Sequence, residues 1–94
     1  MSWVPLFVAA QYGNDQMVTS LLRNGSKVDG PRTDGCTPLF ITALQGHTTV
    51  VAALVEAGAD MNFAMVNGWT PLCIAAHYSH SAVVEELLKA SAQI

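Results

Sequence analysis

The stretch DGCTPLF, residues 34–40, combines a tight turn and a helix start in the middle of a chain of 94 residues. Asp34-Gly35 is a pair common in turns, and Thr37 is a residue type favoured at helix N-caps. Pro38 is well tolerated at the first helical position, because its missing N–H would have no partner there. The stretch therefore predicts a turn followed directly by a helix.

The same pattern occurs three times along the sequence. MSWVPLF begins at Met1 and NGWTPLC begins at Asn67, and each contains a Pro-Leu pair in the same place. The prolines are Pro5, Pro38 and Pro71, so the period is 38 − 5 = 33 and 71 − 38 = 33 residues. The segments after these pairs align in the same register. Nearly every residue therefore belongs to one of three copies, which we place at about 1–33, 34–66 and 67–94.

A turn and two short helices in each copy predict a stacked solenoid with six short helices in three antiparallel pairs. In the middle copy, the first helix is predicted from about Pro38 to Gln45, with Gly46 ending it. The second is predicted from about Thr48 to Ala57, closed by Gly58, which reaches the left-handed conformation without steric cost. The connector that follows is predicted to turn at Asn67-Gly68. The apolar stripe of the second helix consists of Val50, Val51, Leu54 and Val55.

The three copies resemble ankyrin repeats, whose pattern is roughly D-x-x-G-x-T-P-L-H-x-A-A-x-x-G-H-x-x-V-V-x-L-L-L-x-x-G-A-D-V-N. The resemblance covers essentially the whole chain and implies an all-α ankyrin-repeat solenoid, three helix-turn-helix repeats with hairpin-like β-turn connectors. The middle copy matches this pattern at Gly35, Thr37, Pro38, Leu39, Gly46, His47, Val50, Val51, Leu54, Gly58, Ala59, Asp60 and Asn62.

Four residues depart from the family pattern at the start of the first helices. Val4 replaces the capping Thr in the first copy, and Phe7, Phe40 and Cys73 replace the family's His. The Thr–His polar link usual in the family cannot form with these residues. We therefore expect apolar packing in its place.

The composition suggests that the ends of the stack face a neighbour. Hydrophobic residues make up 51% of the chain and charged residues 12%, against about a quarter charged in ordinary soluble domains. One interpretation is a segment of a longer array; we favour it because the first copy shows no polar replacement comparable to that of the last copy. The other is a complete small protein capped by its last copy, whose second helix carries Glu85, Glu86 and Lys89. The first interpretation predicts exposed apolar residues in the end copies and end-to-end self-association.

Charge and hydropathy argue against two classes of partner. The net charge is −3, and the four basic residues, Arg23, Lys27, Arg32 and Lys89, are scattered and form no phosphate-binding stripe. We therefore expect no nucleic-acid binding. No apolar run reaches the roughly 18 residues needed to span a membrane, so membrane insertion is not expected either.

The cysteines and histidines give no sign of a disulfide, a metal site or catalysis. Cys36 and Cys73 fall at different positions of their copies, so we expect two thiols and a reducing, intracellular location, cytoplasmic or nuclear. His77 and His80 have no third ligand nearby in the pattern, whereas zinc needs at least three. His80 stands where the family carries a structural His. No nucleophile motif, phosphate loop or cofactor motif is present, and we predict that the chain is not an enzyme.

Asp29 and Asp60 lie in the connectors between copies. Carboxylates at such positions commonly accept backbone N–H bonds. We expect a structural role for both.

The resemblance implies that a partner protein docks on the concave side of the stack, formed by the turn tips and the ends of the first helices. The same resemblance implies that both tryptophans and both tyrosines of the chain fall on this side, and Trp and Tyr are enriched in binding hot spots. The alternative is that these aromatic residues only pack against neighbouring turns. The predicted protein-binding residues are Trp3, Tyr12, Arg32, Cys36, Leu44, Met65, Trp69, His77 and Tyr78.

Two functions remain. The first is a non-catalytic interaction module that presents this concave surface to another protein. The second is an architectural segment of a longer array, with stacking ends and no partner of its own. The sequence does not identify a partner.

Overall fold

The computed structural model describes residues 3–29, 36–65 and 67–92, and these form six helices in three pairs. No strand is present in the described ranges, so the prediction of six short helices is confirmed. The helices are α1 (Trp3–Gln11), α2 (Asp15–Arg23), α3 (Pro38–Gln45), α4 (Thr48–Glu56), α5 (Pro71–His77) and α6 (Ser81–Ala92).

The first helix of the middle copy has the bounds that its sequence predicts. The side chain of Thr37 accepts a hydrogen bond from the Phe40 N–H at 3.2 Å, and Pro38 occupies the first turn. Thr70 accepts the equivalent bond from the Cys73 N–H at the start of α5, also at 3.2 Å. At the other end of α3, Gly46 adopts a left-handed φ of 80°, as expected of the residue that stops the helix. Local capping thus fixes both ends of α3.

The first copy differs at this point. Its first helix, α1, begins at Trp3, ahead of Pro5, whereas α3 begins at the equivalent Pro38. Val4 therefore lies inside a helix, where a Thr would have capped it. A valine side chain has no oxygen to accept the orphan N–H groups of a helix N-terminus.

The second helix of the middle copy is one residue shorter than predicted. It ends at Glu56, because Ala57 is the C-cap. Gly58, with φ of 96°, donates to the Val55 carbonyl at 3.0 Å, and the Ala59 N–H donates to the Leu54 carbonyl at 3.0 Å. This pair of bonds is a Schellman motif, and the predicted closing role of Gly58 is confirmed.

The connector contacts also follow the expectation. Asp29 Oδ1 accepts a hydrogen bond from the Asp60 N–H at 3.1 Å, which links equivalent connectors of neighbouring copies. Asp60 Oδ1 accepts from the Asn62 N–H at 3.0 Å. The turn at Asn67-Gly68 is present, since the Met65 N–H donates to the Trp69 carbonyl at 2.9 Å. The predicted turn at Asp34-Gly35 lies outside the described residues.

The helices form two layers. The first helices pack in the order α1, α3, α5 and the second helices in the order α2, α4, α6, with contacts between the two helices of every copy. The core runs through all three copies between the layers. Its buried members are Leu6, Ala9, Ala10, Val18, Leu39, Phe40, Ala43, Val50, Val51, Leu54, Ala59, Ile74, Ala75, Val83 and Leu87.

A histidine at the start of α4 and another before α6 tie neighbouring copies together. His47 Nε2 lies 3.1 Å from the Gln11 carbonyl oxygen, and His80 Nε2 lies 2.9 Å from the Leu44 carbonyl oxygen. A carbonyl oxygen can only accept, so each ring donates its Nε2–H. The structural role expected of His80 is confirmed, and the bond fixes the end of α3 against the third copy.

Glycine is needed beneath these rings. A Cβ added at Gly46 would lie 2.7 Å from His80 Nδ1, and φ is positive there. The equivalent residue of the third copy is Ser79, which also has a positive φ, of 61°.

Apolar residues are more exposed in the end copies, as predicted for several positions. Met17 is 48% exposed, whereas Val50, one period later, is 1% exposed. Leu88 and Val8 are also exposed, while their middle-copy equivalents Val55 and Ile41 are partly buried. In the middle copy these positions are covered by the neighbouring copies, whereas an end copy has a neighbour on one side only.

The first copy nevertheless carries polar replacements, contrary to the expectation from its sequence. Ser20 and Asn24 stand one period before Ala53 and Ala57, and both are exposed. The Asn24 side-chain amide donates to the Ser20 carbonyl at 3.0 Å. The second-helix surface of the first copy is therefore more polar than that of the middle copy.

Candidate functional site

A depression of about 410 Å³ lies between the second and third copies. It is formed where α3 and α5 pack side by side, and the turn at Asn67-Gly68 contributes one of its edges. We call this depression the groove. The described residues that line it are Cys36, Phe40, Ile41, Leu44, Met65, Asn67, Trp69, Ile74, His77 and Tyr78.

Apolar side chains that belong to the core or pack against it form much of the groove. Phe40 and Ile74 are buried, and they come from neighbouring first helices. Ile41 and Leu44 are partly buried against the same core. Because close-packed side chains resist displacement, this part of the groove is preformed.

Three rings form an aromatic edge. The Trp69 and His77 rings meet edge to face, with centroids 5.2 Å apart and planes at 75°. His77 meets Tyr78 in the same manner, at 4.9 Å and 86°. Tyr78 is 53% exposed, whereas Trp69 is only partly accessible and packs against the core. Tyr78 thus offers more open surface, and Trp69 combines packing with an accessible face.

The turn before α5 holds Trp69 in place. Asn67 Oδ1 accepts a hydrogen bond from the Trp69 N–H at 3.1 Å. Gly68, with φ of 90°, donates to the Met65 carbonyl at 2.7 Å. The backbone on both sides of the indole is therefore fixed by short-range bonds.

Six of the predicted binding residues meet in the groove: Cys36, Leu44, Met65, Trp69, His77 and Tyr78. Tyr12 is 78% exposed after the end of α1 but is not among the residues that line the groove. Trp3 lies in α1, but its side chain is outside the described part of the structure, and Arg32 lies outside the described residues altogether. A role in partner binding stays a prediction for all nine residues.

Four residues of the groove were not predicted: Phe40, Ile41, Asn67 and Ile74. Ile41 and Ile74 occupy the same position one period apart, 74 − 41 = 33. The sequence signal was a β-branched residue at this place in both first helices, next to the aromatic residue that replaces the family's His at Phe40. In the structure Ile74 belongs to the core and Ile41 packs against it, so both residues serve the core and the groove together.

The cysteines are not joined in a disulfide. Cys73 is exposed near the start of α5, and hydrogen bonds from the side chain and the backbone of Thr70 lower the pKa of its thiol. Among the described residues, no group of three His, Cys, Asp or Glu side chains is placed to hold a metal ion. The described helices include none that is both long enough and apolar enough to cross a membrane.

A family model of ankyrin repeats, in three copies, matches residues 6–94. No curated protein is similar enough to this chain to count as a match. The match confirms the resemblance seen in the repeated Pro-Leu segments, and with the six helices it confirms the predicted all-α solenoid. Proteins of this family are generally protein–protein interaction modules and are generally non-enzymatic.

Proposed function

Because the chain belongs to the ankyrin-repeat family, we propose that it is a non-catalytic module that binds a partner protein in the groove between its second and third copies. One observation carries this proposal: six residues expected to bind a partner line one preformed depression. Its volume of about 410 Å³ is within the range of about 300–1,000 Å³ that ligand pockets occupy.

The aromatic edge supplies the anchors. Tyr78 and Trp69 offer large, rigid surfaces with few rotatable bonds, so binding costs them little conformational entropy. Leu44 and Met65 add apolar contact area beside them. In this proposal His77 supports both rings through its two edge-to-face contacts.

The same proposal places the module inside the cell, in the cytoplasm or the nucleus. Cys36 and Cys73 are not linked to each other, which suits a reducing compartment. The partners in this proposal are proteins, since the sequence offers no basic stripe for nucleic acid.

Capture of a partner from cell extract tests the proposal when three forms of the chain are compared. The first is the wild type, and the second carries Tyr78→Ala, which removes an exposed ring from the groove. The third carries Thr49→Ala, an exposed residue of α4 outside the groove lining. We expect to capture a protein that binds the wild type and the Thr49 variant equally. The Tyr78 variant should not retain this protein. The purified partner must then show the same order of affinities in a direct titration.

Equal retention by all three forms would show that the groove does not bind the partner. A thermal unfolding curve for each variant is the necessary control. Loss of binding counts only if the variant remains folded.

A second candidate, the architectural stacking segment, is favoured by the exposed apolar residues Val8, Met17 and Leu88 at the two ends of the stack. It ranks second because end-to-end stacking would place an apolar residue of one chain against polar residues of the next. Leu22 borders Ala53 and Ala57 between the first two copies. Leu88 is its equivalent, 88 − 22 = 66 or two periods, and it would meet Ser20 and Asn24 of another chain. Those two polar residues weaken an apolar junction.

Light scattering of the concentrated chain separates the two candidates. The stacking segment self-associates, and either Met17→Lys or Leu88→Lys suppresses the association by placing a charge in the junction. If the chain stays monomeric at every concentration, its ends do not stack and the architectural candidate is wrong.

A further inference from the structure

No described residue that lines the groove carries a fixed charge, although charged residues are present in the same copies. These lining residues fall within two stretches of the sequence, 35–55 and 61–84, that contain no Asp, Glu, Lys or Arg. Between residues 35 and 94 the charged side chains are confined to 56–60 and 85–89. The described lining is therefore neutral because it comes from long uncharged stretches of the chain.

Apart from Asp34, which lies outside the described residues, the charged residues of these copies belong to the other layer of the stack and the connector after it. Glu56 ends α4, and Asp60 follows it in the connector. In α6, Lys89 lies 3.9 Å from Glu86, so these two charges lie close to one another on their own helix. The groove itself is lined from α3, α5 and the turn at Asn67-Gly68. None of the second helices contributes a residue to it.

The uncharged lining discriminates between partner segments, because a charged side chain of the partner must lose its water to enter the groove. A charged side chain that enters the groove exchanges water for Ile41, Leu44 and the aromatic rings, and finds no opposite charge among the described residues of the lining. Burying an unpaired charge is strongly unfavourable. An aliphatic or aromatic side chain instead covers exposed apolar surface at no electrostatic cost.

We propose that the occupant of the groove is an uncharged segment of the partner protein whose inward side chains are aliphatic or aromatic, and that the groove rejects acidic and basic segments. This inference rests on the proposed function, since it requires that a partner binds there. It adds the chemistry by which the partner is recognised.

A random-sequence peptide library displayed on phage is the probe, and the whole chain is the bait. Selected peptides are then synthesised, and their dissociation constants are measured by calorimetry. We expect the residues that are essential for binding to be uncharged and apolar. We also expect the dissociation constant to change less than about threefold between about 0.1 M and about 1 M NaCl, where the screening length falls from about 10 Å to about 3 Å.

One substitution adds a charge to the groove and keeps its local structure. Asn67→Asp retains an oxygen for the Trp69 N–H, and Asp-Gly is as suitable a turn pair as Asn-Gly. We expect this variant to bind the selected peptides about five- to tenfold more weakly, near the lower end of the cost of an unsatisfied charged group. The matched control is Thr49→Asp, which adds the same charge at an exposed position of α4. Its peptide affinity should equal that of the wild type.

The outcomes separate this inference from the proposed function. Peptides that Tyr78→Ala releases, but that depend on their own charged residues and weaken about tenfold or more in high salt, would support groove binding and overturn the inference. An unchanged affinity for Asn67→Asp would overturn it as well. If no peptide is selected, or if every selected peptide binds Tyr78→Ala as tightly as wild type, the proposed function fails and the inference fails with it.

Discussion

The first helices and the second helices of this protein share one core but differ in charge. α1, α3 and α5 contain no Asp, Glu, Lys or Arg. The second helices carry all the helical charges, namely Asp15, Arg23, Glu56, Glu85, Glu86 and Lys89. Both layers need apolar residues on their inner faces, so the core does not explain this difference. The difference in charge lies in the outward-facing surfaces of the two layers.

The comparison suggests a division of roles between the layers. Charged side chains keep an exposed helix surface hydrated and disfavour association with other molecules. The second-helix layer has such a surface, and the first-helix layer carries the groove. The predictions below probe this division, from the largest expected effect to the smallest.

Truncation of the core should destabilise the fold without removing the groove. Leu54 in α4 is completely buried, so Leu54→Ala should lower the free energy of unfolding by about 3 kcal/mol through lost burial and a cavity. The measurement is chemical denaturation followed by circular dichroism. The fraction of the protein that remains folded should keep its partner affinity. Loss of affinity in that folded fraction would show that the second-helix layer also shapes the groove.

Removal of an aromatic anchor should instead weaken partner binding and leave most of the stability intact. Trp69→Ala and Tyr78→Ala should each weaken partner binding by about 2 kcal/mol, because large aromatic anchors dominate such interfaces. Most of the stability should remain, and less should be lost for the exposed Tyr78 than for the partly buried Trp69. Titration and thermal unfolding on the same samples check both quantities. If Trp69→Ala destabilises the protein as much as Leu54→Ala and leaves affinity unchanged, Trp69 is a packing residue.

Substitution of Gly46, which lies beneath the His80 ring, should lower the stability of the protein less than truncation of the core does. Gly46→Ala should cost at least about 1–2 kcal/mol of stability, the penalty of a left-handed backbone for a residue with a Cβ. The added Cβ also approaches His80 Nδ1 to 2.7 Å, so the ring must move. Gly58→Ala is the matched control, since Gly58 also has a positive φ, of 96°, but a Cβ added there meets no atom within 4 Å. Equal losses at the two positions would mean that the His80 contact has no energetic role.

The smallest effect concerns the one thiol on α5. Hydrogen bonds from Thr70 lower the pKa of Cys73, so Thr70→Val should raise that pKa towards its ordinary value. At a fixed, mildly alkaline pH the thiolate fraction falls, and alkylation by iodoacetamide should slow. Thr70→Ser retains the hydroxyl and should react like the wild type. A pH–rate profile that does not move in the valine variant would contradict the assignment of this bond.

Several features followed from the sequence because they depend on residues close together in the chain. Thr37, Pro38 and Gly46 mark both ends of α3, and Gly58 marks the end of α4. Capping and turn formation involve hydrogen bonds across only three to five residues, so the residue types report them directly. The 33-residue period made the number of copies and the stacking equally plain.

The groove was only partly predictable. Tyr78 and Leu44 could be assigned to the concave side from their place in the repeat, but the role of Ile41 and Ile74 could not. The repeat position of a side chain does not specify whether it faces the core, the groove or both, because the packing of α3 against α5 decides this. The partial burial of Trp69 also depends on that packing.

The sequence by itself determined the helices, their caps, the repeat and the placement of charge, since each is encoded by neighbouring residues or by a fixed spacing. Only the tertiary structure decided that His80 bonds the Leu44 carbonyl, that Gly46 must leave room for that ring, and that Phe40 and Ile74 meet in one depression. The physical reason is distance along the chain. These contacts join residues that are more than thirty positions apart, and their geometry depends on the small rotation and translation between stacked copies, which no local preference specifies.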